Sequence, residues 1–151
     1  MLTTTAVFTE AEIEYLRGQP LGRLATVGRD GRPHVTPVGV FYEPETEAIV
    51  IGGVNMATSK KFRDAQRQSD VAIVIDDLAA VDPWTPRGIE IRGHAETHTE
   101  GGEQVGERLG AGFAFSPAWI RIRPQRILSW GIDSDSFELT GRDVPDRGPD
   151  G

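Results

Sequence analysis

Cysteine is absent from the 151 residues, which excludes a disulfide framework, a thiolate nucleophile and a cysteine-based zinc site. No run is long and apolar enough to read as a signal region or a membrane span, so the sequence predicts a cytoplasmic protein with no membrane partner. Basic charge is scarce too: 16 Lys and Arg stand against 23 Asp and Glu, a formal charge of -7. Nucleic-acid binders concentrate Lys and Arg over a whole face, so that class drops out and any anion site must be local. There is no Gly-x-Ser-x-Gly elbow. Gly52-Gly53 is no dinucleotide fingerprint, because no glycine-spaced turn leads into a helix with an acidic residue after it. What remains is one domain's length, 38% hydrophobic and 7% aromatic, enough for a modest core.

The chain opens on a helix signal. Thr9 can cap, Glu12 completes a capping box, Phe8 and Ile13 form a hydrophobic staple, and Gly18 with Pro20 ends a helix over Glu10 to Arg17. Two β-rich runs, Leu21 to Val27 and His34 to Tyr42, flank a Gly and Asp turn and read as a hairpin. A further strand covers Ala48 to Gly52. Ser59 to Gln68 reads as a helix, and Val71 to Asp76 as a strand covered on both faces. Asp77 to Pro86, with two prolines, reads as a loop. Gly88 to Thr97 alternates apolar and polar residues, as a half-buried strand does. A short helix around Glu103 to Leu109 precedes two strands, Trp119 to Arg123 and Ile127 to Ile132. Gly141 to Gly151 reads as a disordered Pro, Gly and Asp tail after a single domain over 1–140. Six or seven closely spaced short strands and few helices predict a mainly β (α+β) chain closed into a barrel.

One local rule is broken. A helix N-terminus carries partial positive charge and favours acidic residues, yet the cap at Thr58 or Ser59 is followed by Lys60 and Lys61. Free backbone N–H groups, two ammonium groups and two hydroxyls make a compact phosphate cradle, and an anion would repair the mismatch. The alternative is a solvated helix start whose lysines point away.

Thr58-Ser59-Lys60-Lys61, followed by Ser69-Asp70-Val71-Ala72, resembles the phosphate segment of the pyridoxamine 5'-phosphate oxidase superfamily. Pro33-His34-Val35-Thr36-Pro37-Val38 resembles its strand along the flavin ring. Arg123-Pro124-Gln125-Arg126-Ile127-Leu128-Ser129-Trp130 resembles its C-terminal strand. Asp76-Asp77-Leu78, Asp82-Pro83-Trp84 and the stretch from Pro86 to Glu96 are similar to the branch that uses the deazaflavin coenzyme F420. The resemblance implies a split β-barrel of the flavin-reductase, FMN-binding type, and a homodimer with cofactor sites at the interface. It implies backbone contacts to the ring from Val35, Thr36, Pro37 and Val38, and close approach at Gly52 and Gly53. It implies a phosphate held by Thr58, Ser59, Lys60 and Lys61, and a further contact at Arg87 and Gly88. Trp130 would come from the partner subunit or flank the ring, its other reading being a core tryptophan. Thr36 stands where the oxidases carry an arginine, and their substrate-phosphate residues are missing, so pyridoxamine phosphate is not the expected substrate.

The expected activity is therefore that of a reductase passing a hydride from reduced F420 to a conjugated double bond of a small, planar, hydrophobic molecule. Alternatives are an FMN-dependent oxidoreductase on the same fold and a non-catalytic protein that binds a flavin, deazaflavin or haem. No catalytic side chain is assigned; Tyr42 is a candidate proton donor. Arg63, Arg87 and Arg92 are candidates for holding the acidic tail of the deazaflavin. His94, Glu96 and His98 alternate along one strand face but read as a solvated face, not a metal site. Asp76, Asp77 and Asp82 read as turn caps, and His34 has no carboxylate partner marking it as a base.

Overall fold

The computed structural model describes residues 6–133 and 138–145. Helix α1 (Glu10–Gly18) carries the expected capping box: the Thr9 hydroxyl accepts from the Glu12 N–H, and the Glu12 carboxylate accepts from the Thr9 N–H. Glu12 is fully buried and ion-paired with Arg142. Thr9→Ala removes one half of the box, and a fall in stability of about 1 kcal/mol is expected in a thermal melt.

Strands β1 (Leu21–Val27) and β2 (Pro33–Gly39) form the expected hairpin, followed by β3 (Phe41–Glu43) and β4 (Ala48–Ile51). Helix α2 (Lys60–Arg67) follows a 3-10 turn over Met56–Thr58. Strands β5 (Asp70–Ala80) and β6 (Thr85–His98), helix α3 (Gly102–Arg108), and strands β7 (Trp119–Trp130) and β8 (Thr140–Asp143) complete the chain. The sheet is antiparallel with the order β2-β1-β5-β6-β7-β4-β3, and β8 also pairs with β7. Its two outermost strands, β2 and β3, are consecutive, with only Val40 between them. The sheet must therefore curl until its edges approach, which is a split β-barrel in a mainly β chain with three short helices. Ile49, Ile51, Ile73, Ile75, Ile89, Ile91, Ile120, Ile122 and Ile127 fill the interior with Leu24, Met56 and Phe62.

Four expectations are corrected. Asp77 to Pro86 is not a loop: β5 runs to Ala80 and β6 resumes at Thr85, leaving a four-residue turn. Pro86 pairs with Leu78 beside a register shift between Leu78 and Ala80, and a bulge is a place where proline is tolerated. The two strands expected around Pro124 are one, because β7 bulges beside that proline: Arg92 and Gly93 of β6 pair with Arg126 and Pro124, leaving Gln125 as the extra residue. Gly141 to Asp143 belong to β8, held by Arg126 to Asp143 and Arg142 to Glu12; the remainder of the expected tail, 146–151, lies outside the described residues. Lastly, β5 alternates in burial: Val71, Ile73 and Ile75 face the core, while Ala72 and Val74 stay half-exposed on the outer face.

Candidate functional site

Ser59 caps α2. Its hydroxyl accepts from the Phe62 N–H at 3.3 Å and donates to the Met56 carbonyl at 2.7 Å. The first turn carries no acidic residue, and the N–H groups of Lys60 and Lys61 have no intrahelical acceptor by helix geometry. The anion-suited end read from the sequence is present, but its groups are not equivalent. The Ser59 hydroxyl is already used in both directions, and the exposed Thr58 hydroxyl donates to the Asn55 carbonyl.

The two lysines differ most. Lys60 turns back along the helix to Asp64, with Nζ 3.1 Å from Oδ2. Asp64 is buried and also receives the Thr26 hydroxyl of β1 and Arg67 of its own helix. Burial alone would push the Asp64 carboxyl up, and the bonds from Lys60, Thr26 and Arg67 bring it below the ordinary value. Lys60 Nζ also lies about 3 Å from where a Cβ on Gly28 would stand, so it sits at the β1–β2 turn. Lys61 is half-buried and has no ion-pair partner among the described residues. Burial lowers its pKa from the ordinary lysine value. It is the desolvated, unneutralised cation of the segment.

The other expected contacts fall into separate places. Thr36 and Val38 face inward on β2, opposite Leu24 and Gly22 of β1, whereas Val35 and Pro37 face outward opposite Ala25 and Arg23. Val35 is 65% exposed. No strand pairs with the outer edge of β2 among the described residues, which leaves backbone groups there open to a ligand, and Pro37 fits such an edge. Gly52 and Gly53 follow β4. A Cβ on Gly52 would stand 2.2 Å from the Phe115 ring, so the close approach expected there for a cofactor is occupied by Phe115. Gly53 has more room and accepts from the Ser116 N–H.

Arg87, Gly88 and Trp130 do not join the phosphate segment within one chain. Gly88 pairs with Asp76 and Trp130, at the end of the sheet where β1 begins, whereas Lys60 sits where β1 ends. In the β1–β5 register Asp76 falls opposite Leu21, and Lys60 sits at Gly28, so the two places are roughly 23 Å apart along the strand. The faces differ as well. A Cβ on Gly88 would meet the Trp130 ring at 2.5 Å and Asp76 Cβ at 2.9 Å, and Asp76 pairs with Arg23 on the outer face. Trp130 is thus a half-exposed outer-face residue and not a core tryptophan. Arg87 points the other way and is committed to Asp77, 2.7 Å away. The Tyr15 hydroxyl donates to the same carboxylate at 2.8 Å. Burial, and then that bond, push Tyr15 well above the ordinary phenol range, while Arg87 holds Asp77 low. Arg87 therefore ties α1 to the barrel instead of presenting a free cation.

Asp76 and Asp77 are strand residues in ion pairs, not turn caps. Arg92 pairs with Glu90, so of the three arginines considered for an acidic tail only Arg63 lacks an ion pair among the described residues. Glu96 is bound by Arg121 and Arg123, and His98 stacks on Trp119 at 4.3 Å. Tyr42 packs toward α1, edge-on to Phe8 at 5.7 Å and beneath Arg17. It lines a cleft with Ile13 and Pro44, away from the outer face of β2, and the proton-donor assignment finds no geometric support.

Two features escaped the sequence reading. Asp64 as the partner of Lys60 was signalled by the i,i+4 spacing. The cluster of Phe41, Phe113 and Phe115 had no such signal, since β3 and the distant segment 111–115 assemble it.

Residues 8–131 match the family model described as pyridoxamine 5'-phosphate oxidase. Over 138 residues the chain is 40% identical to a 5a,11a-dehydrotetracycline/5a,11a-dehydrooxytetracycline reductase of Streptomyces rimosus, covering 91% of this chain and 93% of that one. A conserved hypothetical protein of Mycobacterium tuberculosis superposes with a TM-score of 0.64 at 27% identity, over 83% of this chain and 86% of that one. A structure described as an F420 reductase shares the fold, with a TM-score of 0.56 at 23% identity over 76% of this chain and 94% of that one. No helix among the described residues is long and apolar enough to cross a membrane. The family match over most of the chain, the curled antiparallel sheet and the reductase relative together make this chain a member of the pyridoxamine 5'-phosphate oxidase family.

Proposed function

We propose that the chain is an oxidoreductase that holds the phosphate of coenzyme F420 at the start of α2 and acts on a small molecule. The observation that carries this reading is Lys61: a half-buried ammonium with no ion-pair partner among the described residues, beside free backbone N–H groups at a helix end with no acidic first turn. A phosphate anion is the partner that such a group lacks. The open edge of β2, Val35 to Val38, fits a flat ring bound by backbone, and Gly53, on the way from β4 to α2, would accept a Cβ with only Met56 in ordinary contact. Bound reduced deazaflavin supplies a hydride, for which a conjugated carbon-carbon double bond is the acceptor. The chain's own residues bind and orient, and need no nucleophile. The reductase at 40% identity supports both the oxidoreductase class and a small-molecule substrate.

The outer sheet face supports a homodimer. Val35, Ala25, Ala72 and Val74 lie on neighbouring strands with their side chains outward, and burying such a face against a second copy removes apolar surface from water. The same packing would carry one chain's Trp130 toward its partner's cofactor ring, which a single chain does not do.

Purified protein titrated separately with F420 and with FMN, followed by absorbance and fluorescence, tests the reading. Saturable binding of F420 tighter than FMN is expected, together with re-oxidation of reduced F420 by a cyclic enone. Tighter FMN binding would move the reading to a flavoenzyme of the same fold; binding of neither would end it.

A further inference from the structure

The aromatic cluster beside the proposed site has a member that the core does not use. Phe115 is buried and fixed between two glycines. A Cβ on Gly52 would overlap its ring, and a Cβ on Gly106 of α3 would stand 2.9 Å from it. Phe41 meets Phe115 edge-on at 5.3 Å and packs, with Leu109 and Ala111, against the small core of Val50, Val105, Phe115 and Trp119. Phe113 is not part of that packing. It is 43% exposed, tilted at 35° to Phe115 with ring centroids 5.4 Å apart, and it borders a cleft of about 380 Å³ between α3 and the segment 111–115.

Its position relates it to the proposed site. Phe113 comes within 3.9 Å of where a Cβ on Gly39 would stand, and Gly39 directly continues the ring-side stretch Val35 to Val38. Phe115 occupies Gly52, where the chain leaves β4 for the phosphate segment. The cluster thus flanks both segments read as bordering the ring. None of the three rings carries a polar atom, so what they contact is apolar and is met through its flat face or edge. An aromatic held half in water by a fixed neighbour is a ready stacking surface, at less entropic cost than a flexible side chain.

We propose that Phe113, backed by Phe115 and Phe41, is the wall on which the substrate stacks, and that it selects planar fused-ring enones over single-ring ones. This rests on the oxidoreductase reading for its choice of enones, although the wall itself can be tested by binding alone. The cleft's size is that of a small-ligand site, with Glu103 and Glu107 on its α3 side, and a fused ring offers Phe113 more flat area to stack on than a single ring does.

The test is calorimetric titration of wild type, Phe113→Ala and Phe113→Tyr with a fused tricyclic enone and with cyclohexenone, alongside F420 titration of each protein. Phe113→Ala is expected to weaken the tricyclic ligand about three- to tenfold, leave cyclohexenone within about twofold and F420 affinity unchanged, and lower Tm only modestly through the lost ring contacts to Phe115 and Phe41. Phe113→Tyr keeps the aromatic face and should bind like wild type. Equal binding of the tricyclic ligand by wild type and Phe113→Ala, or no binding of it by wild type, overturns the wall. If the wall holds while no protein binds F420 or FMN, the oxidoreductase reading fails and the stacking site stands.

Discussion

Glu43→Gln is expected to lower the unfolding free energy by about 3 to 5 kcal/mol at neutral pH, the cost of removing one partner from a buried, hydrogen-bonded ion pair. Glu43 has no solvent exposure. Arg121 Nε lies 2.6 Å from its Oε1 and Arg121 Nη2 3.0 Å from its Oε2, Arg108 Nη2 reaches Oε2 at 2.7 Å, and the Thr46 hydroxyl donates as well. Burial alone would raise this carboxyl; the bonds from Arg121, Thr46 and Arg108 bring it down to about 2. A carboxyl depressed on folding contributes stability that is present above its unfolded pKa and lost as pH falls through its folded value. The gap between wild type and Glu43→Gln should therefore be widest at neutral pH and close as pH is lowered from about 4.5 toward about 2. Urea unfolding with an unchanged m value would read it directly. A neutral-pH difference under about 1 kcal/mol would mean that Arg121 finds solvent or another carboxylate once Glu43 is neutral. Because Arg108 is on α3, Arg121 on β7 and Glu43 on β3, the pair also fixes the helix whose Gly106 backs Phe115.

Glu43 shows where sequence reading stops. The apolar alternation of β6 and the β-branched run of β5 are local, and so their strands were legible, as was the capping box of α1. Nothing near Glu43 in sequence announces Arg121, 78 residues away, because charge partners across a sheet are set by register and not by spacing. Pro124 misled for a related reason: proline interrupts a strand unless a bulge accommodates it, and the bulge at Gln125 shows only in the pairing of β7 with β6. At the site, the break in helix electrostatics at Lys60 and Lys61 was visible from the residues themselves. Which lysine is free was not. The i,i+4 spacing to Asp64 hinted at a pair, but the burial that makes it persistent comes from Thr26 on another element. Arg87 and Trp130 kept their expected places along the chain while facing opposite sides of the sheet, a distinction of parity that only the register supplies.

That asymmetry makes the two lysines respond differently. Lys61→Met is expected to weaken F420 binding about ten- to hundredfold, the loss of a charge-assisted phosphate contact of about 1.5 to 3 kcal/mol. Lys60→Met should weaken it less, since Asp64 already neutralises much of that charge. Lys60→Met also takes from buried Asp64 one of its three partners, leaving Thr26 and Arg67, so its main expected effect is a lower Tm. The apo proteins separate binding from folding. Lys61 carries a desolvated ammonium with no ion-pair partner among the described residues, so replacing it with an apolar side chain of similar length removes an unfavourable charge. Apo Lys61→Met should melt no lower than wild type even as it loses the cofactor. The pH profile follows from the same cause. Burial lowers the Lys61 pKa, so its contact with phosphate is fully present at neutral pH and is lost on the alkaline side sooner than an ordinary lysine's would be; a bound phosphate opposes that shift. Affinities of wild type and both variants, measured by F420 fluorescence from neutral to alkaline pH, decide the matter. Equal losses from the two substitutions would show that Lys60 leaves Asp64 for the phosphate on binding, and no loss from Lys61→Met would remove the cradle from the site.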